Sequence, residues 1–125
     1  MTRDEILAME AGRELDALVA VEVMEWTRYP NKHGLTVMSR PGAMPHHAQI
    51  DQHPNFSTDI AATWEAAEAM CQEHGLYFRL HRTPDYIWAA FDKWSDLRLS
   101  VEAQAPTAPL AISRAVLLAV MEVDA

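Results

Sequence analysis

Apolar residues recur at helical spacing near the N-terminus of the chain. Thr2 and Glu5 form a capping-box pattern, which predicts that a helix begins at once. Gly12 is suited to a stop or a bend, and the segment Arg13–Trp26 continues with a more regular helical pattern. We therefore predict two helices within residues 3–26.

The central part of the chain contains the clearest helical pattern. Ser57, Thr58 and Asp59 are three successive residues that can cap the N–H groups of a first turn. Gly75 is suited to the C-terminal end, and we predict a helix over residues 58–73. Four of its residues recur with the spacing of one buried stripe, which we expect to face the core. These residues are Ile60, Trp64, Ala67 and Cys71.

After Gly75 the pattern changes to a strict alternation of apolar and polar residues. Three alternating segments follow one another over residues 76–104, and Arg82–Asp85 has the composition of a turn between the first two. Short connections between strands favour an antiparallel meander with one aliphatic face. We expect three strands in this sheet, or four.

The last predicted helix covers residues 108–122, with Thr107 as its N-cap. It is apolar on nearly every side, and only Ser113, Arg114 and Glu122 mark a polar edge. A helix of this kind is buried on more than one side, either within the fold or against a second copy of the chain. We expect a homodimer or a higher homo-oligomer that buries part of it.

Residues 27–55 form a long segment that is rich in proline and histidine, and this composition excludes a regular helix. Gly34–Ser39 is compatible with a short strand. A cluster of side chains in the segment offers imidazole and carboxylate groups, but no metal-site spacing accompanies them. We therefore predict a solvated or ligand-contacting loop, no metal site and no cofactor. The cluster consists of His46, His47, Asp51 and His53.

The element order α-α-loop-α-β-β-β-α predicts one α+β domain over residues 1–125, with helices packed on an antiparallel meander. Apolar residues make up 50% of the chain, which is enough for a substantial core. The net charge of −8 argues against a surface that neutralises nucleic-acid phosphates. The sequence has no membrane-spanning run and no signal-peptide pattern, and its single cysteine fits a reducing compartment. We expect a cytoplasmic protein with neither nucleic acid nor a membrane as its partner.

Three segments resemble one known family. The segments are Ile6–Ala20 (ILAMEAGRELDALVA), Asn55–Met70 (NFSTDIAATWEAAEAM) and Thr107–Glu122 (TAPLAISRAVLLAVME). They are similar to parts of the phage ABA sandwich domain, which occurs in a group of bacteriophage proteins. The resemblance implies a phage protein in the host cytoplasm, but it carries no activity and no functional residue over to this chain.

The sequence contains no glycine-rich phosphate loop and no nucleophile elbow, so it gives no indication of an enzyme. The polar side of the predicted sheet combines aromatic and cationic residues, which suit the binding of a planar anion. Arg79 and Arg98 would flank Trp88 and hold the charge of such a ligand. Alternatively, other elements cover this face and its polar groups satisfy one another. The candidate ligand-binding residues are Tyr77, Arg79, His81, Trp88 and Arg98.

Two functions follow as expectations. In the first, the chain is a non-enzymatic phage accessory protein that binds or sequesters a small anionic or nucleotide-like ligand, for instance in counter-defence. In the second, it is a protein-binding module that inhibits or redirects a host protein through its acidic surface.

Overall fold

The computed structural model describes residues 2–30, 36–39, 54–93 and 96–124. The described elements confirm the predicted α+β class and its order. No helix in the described ranges is both long enough and apolar enough to span a bilayer. The elements are α1 (Arg3–Ala8), α2 (Arg13–Glu22), β1 (Thr27–Pro30), β2 (Thr36–Ser39), α3 (Ile60–His74), β3 (Leu76–Arg82), β4 (Ile87–Lys93), β5 (Asp96–Ala105) and α4 (Ala108–Asp124).

The helices begin and end at residues that satisfy their terminal backbone groups. The hydroxyl oxygen of Thr2 accepts a hydrogen bond from the Glu5 N–H at 3.2 Å and caps α1. Of the three candidate caps before α3, Asp59 takes the position, and its carboxylate accepts from the N–H groups of Ala61 and Ala62. Gly75 ends α3 with a φ of 65°, a conformation that glycine adopts without steric cost.

The main sheet consists of three strands in the order β3-β4-β5, and both pairs are antiparallel. A tight turn joins β3 to β4, in which the Thr83 N–H donates to the Tyr86 carbonyl at 2.8 Å. β2 confirms a strand within Gly34–Ser39, but it pairs with β1 in a separate two-stranded sheet. The predicted sheet therefore has three strands in the described part of the chain, not four.

The helix α4 lies in the centre of the molecule. It contacts α1, α2, α3, β4 and β5, and Ile112 and Val116 are fully buried. Ser113, which we predicted at a polar edge, is also fully buried, and its hydroxyl oxygen lies 3.4 Å from that of Thr63. A single chain thus covers this apolar helix. A homo-oligomer remains a prediction, but α4 no longer gives a reason for it.

The inner face of α3 differs from the predicted one. Ile60 and Trp64 are 49% and 44% exposed, so their assignment to a buried stripe was wrong. The residues that contact the core are mostly small, because α4 packs closely along this side of α3. Cys71 is half-buried, and burial together with the charge of Glu68 raises the pKa of its thiol. The buried residues of α3 are Thr63, Ala66, Ala67 and Met70.

A buried polar contact fixes the start of α3 against α2. The carboxylate of Asp16 accepts a hydrogen bond from the Ser57 N–H at 2.6 Å. The hydroxyl oxygen of Ser57 in turn accepts from the N–H of Gly12 at 2.9 Å. Asp16 and Ser57 are both buried, so the bond between them satisfies a backbone N–H that water does not reach.

Arg114 of α4 connects two other parts of the fold. Its guanidinium donates to the Met9 carbonyl at 3.0 and 2.8 Å and to the Gln104 carbonyl at 3.0 Å. Burial lowers the pKa of this guanidinium. The side chain therefore ties the segment between α1 and α2 to the end of β5.

Candidate functional site

The helices pack on one face of the main sheet, and we call the opposite face the outer face. Adjacent strands align its side chains in three rows across β3, β4 and β5. The register assigns Tyr77, Asp92 and Ser100 to the first row, Arg79, Ala90 and Glu102 to the second, and His81, Trp88 and Gln104 to the third. Most of these side chains are exposed, as Tyr77 is at 46%.

Asp92 lies at the centre of a hydrogen-bonded group on the outer face. Its carboxylate accepts from Nε of Arg79 at 2.6 Å, from a second guanidinium nitrogen at 3.3 Å and from the Ser100 hydroxyl at 2.7 Å. The hydrogen bond from Arg79 holds the pKa of the Asp92 carboxyl below its usual value, and the bond from Ser100 acts in the same direction. The same hydrogen bond raises the pKa of Arg79. The positive charge of Arg79 is therefore largely balanced within the face.

Three rings form an aromatic cluster at the turn end of the outer face. The Trp88 ring centre lies 6.1 Å from that of His81, its partner in register, and 5.7 Å from that of Tyr86. Trp88 is half-buried, while both neighbouring residues are exposed. The face of an indole held in this way can stack on a planar group or pack against apolar side chains of a partner.

The structure brings together four of the five predicted ligand-binding residues. Tyr77, Arg79 and His81 alternate along β3, and Trp88 pairs with His81. Arg98 also belongs to β5, but the register shifts near it, since Asp92 pairs with Ser100 while Lys93 pairs with Asp96. The side chain of Arg98 lies outside the described part of the structure.

The register changes the predicted role of the two arginines. Glu102, and not Arg98, occupies the row of Arg79, with Ala90 between them. Arg98 lies four positions earlier on β5, which corresponds to about 13 Å along a strand. The two arginines therefore do not flank the same point of the middle strand. The register does not support the prediction that both bind the charge of one ligand.

Sequence reasoning missed the acidic groups of the site. Asp92 and Glu102 occupy polar positions of the alternating pattern, which is the signal that could have identified them. Their role depends on which residues the register places opposite them. Both carboxylates lie on a face whose described side chains include only one guanidinium, that of Arg79. The alternative interpretation is that other elements cover this face and that its polar groups satisfy one another. Its second half holds for Arg79, Asp92 and Ser100, which bond to one another. Its first half does not, because most of the described side chains of the face are exposed.

Among the described residues, no group of three or more His, Cys, Asp or Glu side chains is arranged to hold a metal ion. The histidine-rich cluster of the long segment lies outside the described residues. The interpretation of that cluster stays a prediction. Its members are His46, His47, Asp51 and His53.

Comparisons with known proteins give one match. The family model described as the phage ABA sandwich domain matches residues 17–117. The match confirms the family, covers Asn55–Met70 and the main sheet completely, and includes only part of the two terminal segments. No curated protein and no solved structure matches the chain.

Proposed function

The chain belongs to the phage ABA sandwich domain family, and we propose that it is a non-enzymatic phage accessory protein that binds a protein of the host. The outer face is the proposed binding surface, and the host cytoplasm is the proposed place of action. Binding would inhibit or redirect the host protein, as a counter-defence factor does.

The observation that carries this function is the charge balance of the outer face. A nucleotide-like ligand needs cations that are available to its phosphates. The described cation of this face, Arg79, is already paired with Asp92, and Glu102 adds a further negative charge in the same row. The surface therefore favours a protein partner over a small anion.

The layout of the face supports the same choice. Small-molecule sites are usually concave pockets, whereas the outer face extends over three adjacent strands. Trp88 and Tyr86 are large rings at its turn end, and such residues are enriched among the energetic centres of protein interfaces. We expect the aromatic cluster to be the centre of the contact and the polar rows to surround it.

The aromatic cluster also favours a second candidate, which is a planar anionic ligand stacked on Trp88. Arg79 lies on the neighbouring strand, one row from Trp88. In this case Arg79 would have to exchange its bond with Asp92 for a bond with the ligand. Removal of the Asp92 charge should then strengthen the binding of nucleotides.

Affinity capture with matched variants tests the first candidate. The parent protein, Trp88→Ala and Glu14→Gln are used as baits in a lysate of the bacterial host, since Glu14 is an exposed residue of α2 in the helical layer. We expect the parent and Glu14→Gln to retain one host chain that Trp88→Ala loses while it still melts cooperatively. Retention of the same chains by all three baits would contradict a role of the outer face.

Thermal melts with a panel of nucleotides test the second candidate. A ligand at a hundred times its Kd stabilises a protein by about 2.7 kcal/mol, which is a measurable shift in Tm. We expect no shift for the parent. A shift that disappears with Trp88→Ala and grows with Asp92→Asn would instead establish the small-ligand function.

A further inference from the structure

The strand β3 has an open edge in the described part of the chain. It pairs with β4 on one side, and no described strand lies on its other side. Its last four residues, Arg79–Arg82, are all exposed, although alternate side chains of a strand point to opposite faces. Among the described residues, nothing pairs with this edge, and the side chains at the end of β3 are exposed on both faces.

The hairpin turn determines which backbone groups point to this edge. The hydrogen bond from Thr83 to Tyr86 closes the hairpin, and the register continues from it without a bulge. Hydrogen-bonded pairs alternate along an antiparallel ladder, so every second residue of β3 exchanges its backbone bonds with β4. The residues between them direct their N–H and C=O groups to the open edge. These residues are Leu76, Phe78, Leu80 and Arg82.

Large apolar side chains lie along the same edge. The rings of Trp64 and Phe78 meet edge to face, with centres 5.5 Å apart. α3 and β3 are joined at Gly75 and lie side by side in antiparallel directions. Ile60 and Leu80 therefore each lie about 6 Å beyond the contact between Trp64 and Phe78, on the side away from Gly75. Leu80 is 38% exposed although it belongs to the inner face of the sheet. We call the exposed residues Ile60, Trp64 and Leu80 the edge strip.

The charge of β3 indicates which partner fits. Its sequence, LYFRLHR, contains two arginines and a histidine but no acidic residue, in a chain of net charge −8. Pairing of β3 with β3 of a second copy would bring the arginines of both copies together across the new ladder, which is unfavourable. An acidic strand would meet opposite charges there.

We propose that the open edge of β3 and the edge strip bind an extended acidic segment of a partner protein as a fourth strand. Strand addition of this kind uses the backbone groups for affinity and alternate side chains for specificity. Apolar residues of the segment cover Trp64 and Leu80. The acidic residues between them point to the outer face, where the N–H groups of Arg79 that do not bond Asp92 can donate to a carboxylate. The contact does not require the aromatic cluster around Trp88, so it goes beyond the function proposed above.

Synthetic peptides test this binding mode directly. The probe is a fluorescent peptide of seven residues, the length of β3, in which Glu alternates with Val. A peptide of the same length in which Lys replaces Glu is the matched control. We expect the parent protein to raise the fluorescence anisotropy of the Glu peptide and to leave that of the Lys peptide unchanged.

Three variants and one control substitution locate the contact. Leu80→Pro removes an N–H that points to the open edge and leaves the ladder with β4 intact, so we expect at least a tenfold loss of affinity. Trp64→Ala should also weaken binding, while Glu65→Ala, its exposed neighbour, should not. Arg79→Met should weaken the Glu peptide and, because it frees the Asp92 carboxylate, allow the Lys peptide to bind.

Several results would overturn the proposal. They are an absence of binding by the Glu peptide, equal binding of both peptides, or parent affinity in Leu80→Pro and Trp64→Ala. If the parent protein is a dimer and Leu80→Pro converts it to a monomer, the strand that binds this edge belongs to a second copy of the chain and not to a partner protein. If circular dichroism shows that Leu80→Pro is unfolded, Trp64→Ala and Arg79→Met decide. Loss of the host chain with Trp88→Ala is a separate readout, so failure here is distinguishable from failure of the outer-face function.

Discussion

The ion pair between Arg79 and Asp92 decides whether the outer face has a cation to offer, and a double-mutant cycle can measure its strength. Asp92 is only 16% exposed, and its distance of 2.6 Å to Nε of Arg79 is that of a strong charged hydrogen bond. Arg79 is 46% exposed, so solvent screening reduces the gain to the range of surface pairs. From Arg79→Met and Asp92→Asn we expect a coupling free energy of about 1 kcal/mol at neutral pH.

The pH dependence of this coupling has a definite sign. The folded protein lowers the pKa of Asp92, so the pair contributes stability above the unfolded carboxyl pKa of about 3.9. This contribution is lost as the pH falls through the still lower pKa of the folded state. Urea unfolding of the four proteins, followed by circular dichroism at about pH 7 and again near pH 2.5, measures both regimes. We expect the coupling to be present at the higher pH and reduced at the lower one.

A second double-mutant cycle tests whether the coupling is specific to this pair or comes from the general electrostatic field of the outer face. Glu102 lies in the row of Arg79, and Arg79 donates its hydrogen bonds to Asp92 instead. Arg79→Met with Glu102→Gln should therefore give a coupling below about 0.5 kcal/mol. A coupling of zero between Arg79 and Asp92 at neutral pH, or an unchanged value in acid, would refute the charge balance. It would also favour the small-ligand function.

Three further predictions concern the stability of the fold. Arg114→Met should lower the free energy of unfolding by about 2 kcal/mol, because it removes the charged donor of the Met9 carbonyl, and the urea midpoint measures this loss. Glu25→Gly should raise the Tm by a few degrees, because Glu25 has a φ of 59° that costs a residue with a side chain about 1 kcal/mol or more. Asp16→Ala should cost about 1 to 3 kcal/mol by calorimetry, since it leaves the buried Ser57 N–H without its acceptor.

Much of the fold could be predicted because its signals are local. A helix start needs only a side-chain acceptor near unpaired N–H groups, as Asp59 provides, and a helix end needs a residue such as Gly75. Alternation likewise identifies which residues share a face of the sheet. It grouped Tyr77, Arg79 and Trp88 before any strand pairing was known.

The parts that could not be predicted depend on contacts between distant segments. A side chain such as Arg98 belongs to a site only if the register brings it there, and the irregular pairing between β4 and β5 is not visible in the alternation. The bond from Arg79 to Asp92 depends on the same pairing. The pattern of α4 indicated burial on several sides, but it did not distinguish the chain's own helices from a second copy.

One physical cause, the close packing of α3 against α4, explains which side chains of α3 are buried and which are exposed. Periodicity marks large apolar residues, which is why Ile60 and Trp64 were assigned to the core. Close packing against α4 instead selects small side chains such as Ala66 and Ala67, because a bulky ring would keep the two helices apart. Trp64 is therefore displaced to the border with β3, where it remains 44% exposed beside an open strand edge. Exposed apolar side chains and a strand edge that no described strand pairs with both favour association, so their coincidence at this border supports the proposed added strand.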